Sequence, residues 1–181
     1  MIDLLVNTIG KWKLGRRYAN ASRKPVAINL LYMKTAVLVF HISDENHYHK
    51  IISFGESLKT KEGFSKVYYV AYVATKEVPS FVNSEKVKIF DSTQVNIYGI
   101  PKDEFASAIL KTEVDLMIDF TEKSFVPTDY FLALIQAKTK VGLANPEKEY
   151  IFDLMIEISD NQNITEFATQ VIRYLKMINK D

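Results

Sequence analysis

The chain contains no cysteine, which excludes disulfide staples, thiolate zinc sites, cysteine nucleophiles and iron–sulfur clusters. Zero cysteines also fit a reducing compartment. No run of 18 apolar residues is present to span a bilayer. The apolar stretch over residues 2–9 precedes the positive charges, the reverse of a secretory signal. A cytoplasmic protein without a membrane span is expected.

Glycine is scarce. Six occur, at positions 10, 15, 55, 63, 99 and 142, and no two are close enough to form a phosphate cradle. A dinucleotide loop needs glycines directly after the first strand, and a P-loop needs Gly-Lys-Ser/Thr. Here the first strand runs into HISDENHYHK, so neither NAD, FAD or ATP bound in the usual way nor any other cofactor is expected. The only histidines are His41, His47 and His49. His47 and His49 sit about 200° apart on a helix, so they cannot join His41 on one ion, and no metal site is expected. No serine lies in a G-x-S-x-G turn, so a nucleophilic triad is unsupported and no catalytic residue is assigned.

What is present is an ordinary globular composition, 48% hydrophobic and 25% charged, in 181 residues. A chain of that length buries about 70% of its unfolded surface and needs no staple. Net charge is +1, but its distribution is uneven. Residues 1–24 hold six bases against one acid, a net of +5, leaving 17 bases against 21 acids, −4, in the rest. Ile2, Leu5, Ile9 and Trp12 follow helical spacing, so this segment can lay an apolar stripe on a surface. The bases point in several directions around such a helix, leaving some for solvent or an anion. Residues 1–30 therefore read as a basic helical arm and residues 31–181 as a single domain. Lys11, Trp12, Lys13, Arg16, Arg17, Arg23 and Lys24 are the candidate partner-binding residues.

From residue 35 short β-branched or aromatic runs alternate with helical patterns, the βαβ signature. Strands are predicted over 35–42, 66–73, 87–90, 114–120, 140–144 and 151–158. Ser43 is the expected cap of a helix carrying His47, Ile51, Phe54 and Leu58 and closed by Gly63. Pro101 and Pro127 each occupy a first-turn position. Asn163 and Glu166 cap a last helix whose inward face is Ile164, Phe167, Val171, Tyr174, Leu175 and Ile178. Residues 75–85, around Pro79, are the one long irregular loop. The fold class is α/β, a doubly wound, mostly parallel sheet of five or six strands with an N-terminal basic helix.

In such sheets ligands bind beyond the carboxyl ends of the strands, where strand order reverses. Ser43, Asp44, Asp91 and Asp119 stand at those ends as a possible ligand crevice, although turn and cap chemistry alone accounts for most polar residues there. Asp115 and Asp119 share a strand face but lie about 13 Å apart, too far for a catalytic carboxylate pair.

The segment VDLMIDFTEKSFVPTDYFLALIQAKTKVGLANPEKEYIFDLMIEI resembles an uncharacterised family of short bacterial proteins. Their sheet is similar to the N-terminal half of heptosyltransferase-type glycosyltransferases. Those enzymes place a D-L-x-I-D strand before a helix and a K-x-G-x-A strand, matched by Asp115, Leu116, Ile118 and Asp119 and by Lys140, Gly142 and Ala144. They also carry a Gly-Asp turn with a catalytic carboxylate after the first strand, where this chain has Ile42-Ser43-Asp44-Glu45. Their second, nucleotide-sugar domain has no room in 181 residues.

Two functions are expected from these observations. The first is a non-catalytic interaction protein, an α/β scaffold whose basic helix docks on structured RNA or an acidic protein surface, or pairs in a homodimer. The alternative is a glycosyltransferase-like enzyme or a sugar or nucleotide-sugar binder using the strand-end crevice.

Overall fold

The computed structural model describes residues 26, 28–75, 77–111, 113–121, 124–159 and 163–178. The arm residues Lys11 to Lys24 lie outside them.

Six strands form one sheet, β1 (Thr35–His41), β2 (Lys66–Val73), β3 (Val87–Asp91), β4 (Val114–Asp119), β5 (Ala137–Leu143) and β6 (Leu154–Ile156). Their spatial order is β3-β2-β1-β4-β5-β6, and every neighbouring pair is parallel. The central strand β1 has residues 36–40 all buried, because helices cover both faces of the sheet. Helices α1 (Glu45–Glu62) and α4 (Ile164–Met177) pack with Leu38, Phe40, Leu116 and Ile118. Helices α2 (Asp103–Leu110) and α3 (Val126–Leu134) pack on the other face with Val39, Val70, Phe90 and Met117. The doubly wound α/β sheet read from the alternating pattern is therefore the observed fold.

The β2–β3 connection, residues 74–86, contains no helix among its described residues. The irregular loop around Pro79 does a crossover helix's work: Phe81 stacks on Tyr48 at 5.7 Å between ring centroids, and the Asn83 N–H donates to the Tyr48 hydroxyl. At the other edge Val26 joins the body, donating its N–H to the Lys138 carbonyl and accepting from the Thr139 hydroxyl. Asn29 likewise donates to the Lys176 and Ile178 carbonyls at the end of α4.

Several local expectations need correction. Asp44, not Ser43, caps α1: its extended backbone brings the carboxylate over the helix start, where it accepts from the His47 N–H at 2.8 Å. Pro101 is not in a first turn. It bridges Val95 across a tight loop held by the Asn96 side chain, and α2 starts at Asp103 with Lys102 at its N-cap. Strand β5 begins at Ala137, earlier than its apolar run, because Ala137 and Thr139 pair with Val114 and Leu116. Strand β6 shrinks to three residues. Tyr174 falls at the margin of the α4 stripe and is 42% exposed, whereas Val171 and Leu175 are fully buried.

Helix α4 starts where the Asn163 side chain accepts from the Glu166 N–H. Asn163→Ala leaves that amide without its partner and should cost about 1 kcal/mol in urea denaturation.

Candidate functional site

The strand order turns back between β1 and β4, so the carboxyl ends of these strands, His41 and Asp119, mark the topological switch point. Asp119 ends β4 with its side chain 1% exposed. One carboxylate oxygen accepts from the Thr121 N–H at 2.8 Å and the Thr121 hydroxyl at 2.6 Å. The other accepts from Lys148 Nζ at 2.8 Å. Lys148 ends a single 3-10 turn (Pro146–Lys148) after β5, a turn capped by Asn145, whose side chain accepts from the Glu147 N–H. That turn carries the lysine back over the sheet, where its ammonium also donates to the Thr121 hydroxyl and lies 3.4 Å from Asp129 Oδ1. Asp129, in the first turn of α3, accepts from the Ser124 hydroxyl at 2.6 Å through its other oxygen.

His41 stands at the rim. Its Nε2 is 3.3 Å from the Thr128 hydroxyl, its ring meets Phe125 edge-on at 4.9 Å, and Tyr72 lies 5.7 Å away. Thr128 and Asp129 reach this place because α3 is buried on all sides, so its polar residues have only the protein's own groups for partners.

Burial dominates the electrostatics. It pulls the His41 imidazole down to about 4, with Asp119 opposing and Lys148 assisting, so the ring is neutral at physiological pH. Burial pushes the Asp129 carboxyl above the usual carboxylate range, against the pull of Lys148 and the Ser124 hydroxyl. Burial alone would weaken the Lys148 ammonium, but Asp119 and Asp129 outweigh it and hold the lysine above its ordinary value. Each carboxylate faces the ammonium, Asp119 through a hydrogen bond and Asp129 at 3.4 Å, where its buried Oδ1 accepts no hydrogen bond from the described residues.

Of the four crevice candidates, only Asp119 enters the cluster. Asp44 and Ser43 bond to each other at the start of α1, both exposed. Asp91 caps its own 3-10 turn (Ser92–Gln94), accepting from the Thr93 N–H and hydroxyl. Asp115 secures the opposite end of the sheet: one oxygen accepts from the Lys34 and Thr35 N–H groups, and the other meets Lys138 Nζ at 2.7 Å. The K-x-G-x-A strand is structural as well. Lys140 is fully buried and donates to the Leu132 and Ala133 carbonyls at the end of α3. A Cβ on Gly142 would stand 2.5 Å from the Phe152 ring, so only glycine fits without displacing it.

Lys148, Asp129 and Thr128 escaped the reading from sequence. A strand-end search extended past β5 would have reached Lys148, three residues beyond Asn145. Nothing in the spacing marks Asp129, which sits beside Tyr130 and Phe131 in a mostly apolar helix. Among the described residues, no three His, Cys, Asp or Glu side chains gather as a metal site does, and no helix is long and apolar enough to cross a membrane.

Solved structures share this sheet. The family 9 glycosyl transferase of Veillonella parvula DSM 2008 superposes with a TM-score of 0.53 at 14% identity, over 85% of this chain and 44% of that one. The E. coli heptosyltransferase WaaC with ADP gives 0.48 at 13% identity, over 81% and 48%. The same enzyme with ADP-2-deoxy-2-fluoro heptose gives 0.49 at 14% identity, over 81% and 50%. The chain thus spans about half the length of the structures it matches, and the likeness is one of fold. At the level of fold, the match to the family 9 glycosyl transferase bears out the resemblance to the sheet of one half of such an enzyme drawn from the D-L-x-I-D and K-x-G-x-A strands. No curated protein matches the chain in sequence. A family model matches residues 7–178, nearly the whole chain, and the protein belongs to that family, the family of unknown function DUF6913.

Proposed function

We propose that the protein is a non-catalytic interaction module of the cytoplasm, an α/β scaffold that presents a basic N-terminal segment to an anionic partner, structured RNA being the chemistry that suits it. The observation that carries this reading is the buried ion network at the switch point. Lys148 occupies the space between Asp119 and Asp129, so the acids that would otherwise face a sugar or a metal are committed to the protein's own ammonium. Asp44 and Asp91 are likewise committed to caps. Excess positive charge is concentrated in sequence at residues 1–24, with six bases against one acid, and phosphate contacts require such charge.

Titration against mixed cellular RNA at two salt concentrations tests the reading. Replacing Lys13, Arg16 and Arg17 together by Ala should weaken binding to all sequences about equally and lower the salt slope of log K by roughly two to three. Absence of RNA binding by the unmodified protein near physiological salt would overturn it.

A second reading, a sugar or nucleotide-sugar binder, is favoured by the sheet shared with the family 9 glycosyl transferase. It places the ligand beside the neutral His41, at the rim where Phe125 and Tyr72 pack on each other at 4.8 Å. A rise in melting temperature with a nucleotide sugar, lost in His41→Ala and kept in the arm variant, would select it over the first.

A further inference from the structure

Helices α1 and α4 follow different strands but lie on the same face of a parallel sheet, so they run side by side in the same direction. Near their carboxyl ends they are joined by the ion pair of Lys176 with Glu62, at 2.7 Å. Between them runs a groove of about 590 Å³, lined on α1 from His49 to Lys61 and on α4 from Ile164 to Ile172. Its floor is apolar: Ile164 and Ala168 of α4 with the half-buried Phe54 of α1 and Ile172 of α4. Phe54 is held there by an edge-on contact with Phe120, at 5.6 Å.

The groove's charge has one sign. Lys50 and Lys61 line it, both exposed, and neither has a carboxylate partner among the described residues. Eleven residues separate them on α1, about 16 Å along the axis, so they stand toward opposite ends of the groove. None of the described residues lining it is acidic. The acids of α1 are otherwise occupied: Glu45 faces His49, which also lines the groove, Glu56 faces Lys59 and Lys86, and Glu62 faces Lys176.

We infer that this groove is a docking site for an acidic amphipathic helix of a partner protein. An apolar trough between two parallel helices accepts a third helix through anchors at i, i+3/4 and i+7, and about three turns fill the distance between the two lysines. Acidic residues flanking those anchors complement Lys50 and Lys61. The chain's own N-terminal segment, apolar-striped but net +5, has the wrong charge for this place. The inference is independent of the arm reading, since it concerns a different surface and the opposite sign of partner charge.

A fluorescein-labelled synthetic helix with leucines on one face and glutamates on its flanks is the probe, read by fluorescence anisotropy on the full chain. Two controls accompany it: the same peptide with lysines for glutamates, and the same composition scrambled to destroy the apolar face. The acidic amphipathic peptide should bind at least tenfold more tightly than either control. The double variant Lys50→Glu/Lys61→Glu should weaken it about tenfold, as reversal of two solvent-exposed charge contacts does. Ser53→Trp, which fills the groove from an exposed position, should abolish binding. All three positions are exposed, so unchanged melting temperatures verify that the variants fold. Equal binding of the acidic and scrambled peptides would overturn the inference, as would indifference to the charge-reversal variant. Binding of vesicles containing phosphatidylglycerol through Lys50 and Lys61 without peptide binding, or self-association lost in Ser53→Trp without peptide binding, would overturn it in favour of a membrane or a second copy.

Discussion

Lys148→Ala should lose about 3–5 kcal/mol of folding free energy, the cost of removing one partner from a buried charge network. The residue is 1% exposed, and its ammonium faces two buried carboxylates, Asp119 at 1% and Asp129 at 3%. Without it, Asp119 retains only the Thr121 N–H and hydroxyl, and its charge is left in a region without solvent. The lost energy is a large part of the 5–15 kcal/mol that stabilises a typical domain. The loss should also become pH-dependent. An unpaired buried carboxyl titrates above its unfolded value, so the folded state binds a proton first, and the variant should regain stability as the solution is acidified. Urea denaturation at pH 5 and pH 8 measures both effects. Lys148→Met, which keeps the volume without the charge, should be rescued in large part by Asp119→Asn, since the amide asks for no counter-charge. A loss below about 1 kcal/mol in Lys148→Ala would show that the network is not structural. The strand-end acids would then be available to a ligand, and the nucleotide-sugar reading would gain what the scaffold reading loses.

The parts of the molecule legible in sequence are those governed by local periodicity. TAVLVFH announces a strand buried on both faces, and KVYYVAYV is bounded correctly at both ends, because hydrophobic runs of this length have no other stable use in a parallel sheet. Gly63 ends α1 in the left-handed conformation that glycine adopts at lowest cost. Boundaries set by partners were not legible. The start of β5 at Ala137 depends on pairing with Val114, and β6 is shortened by the turn that carries Lys148. The site shows the same division. Asp119 could be placed because a strand end is a local feature. Asp129 and Lys148 meet it across 10 and 29 positions of sequence, and their significance arises only when α3 and the post-β5 turn fold over the same strand end. Even the residues that carried the family resemblance, Asp115, Lys140 and Gly142, prove to hold strand starts, a helix end and an aromatic ring. A motif can be shared between proteins for such structural reasons without any shared reaction.

Acid should destabilise the protein through His41 before it affects most carboxylates. The imidazole is held from 6.5 down to about 4 by burial, so between those values the unfolded chain carries a proton that the folded chain refuses. Stability from this group is complete above about pH 6.5 and falls as pH drops toward 4, by up to about 3 kcal/mol at 1.36 kcal/mol per unit. Two carboxyls frame this window. Asp115 is brought to about 2 despite burial, by Lys138 and the Lys34 and Thr35 amides, so its contribution is lost only below the ordinary carboxylate range. Asp129, held above that range, has the opposite sign: its folded form takes a proton first and offsets part of the histidine's loss at the acid end. His41→Gln isolates the histidine, because glutamine can still reach the Thr128 hydroxyl but does not titrate. Thermal melts of both proteins from pH 7 to pH 4 should diverge progressively, the native chain losing the greater stability while the variant stays nearly level down to about pH 5. Parallel curves would mean that the folded protein admits the proton, with His41 turned out of its contacts with Phe125 and Thr128 and into water.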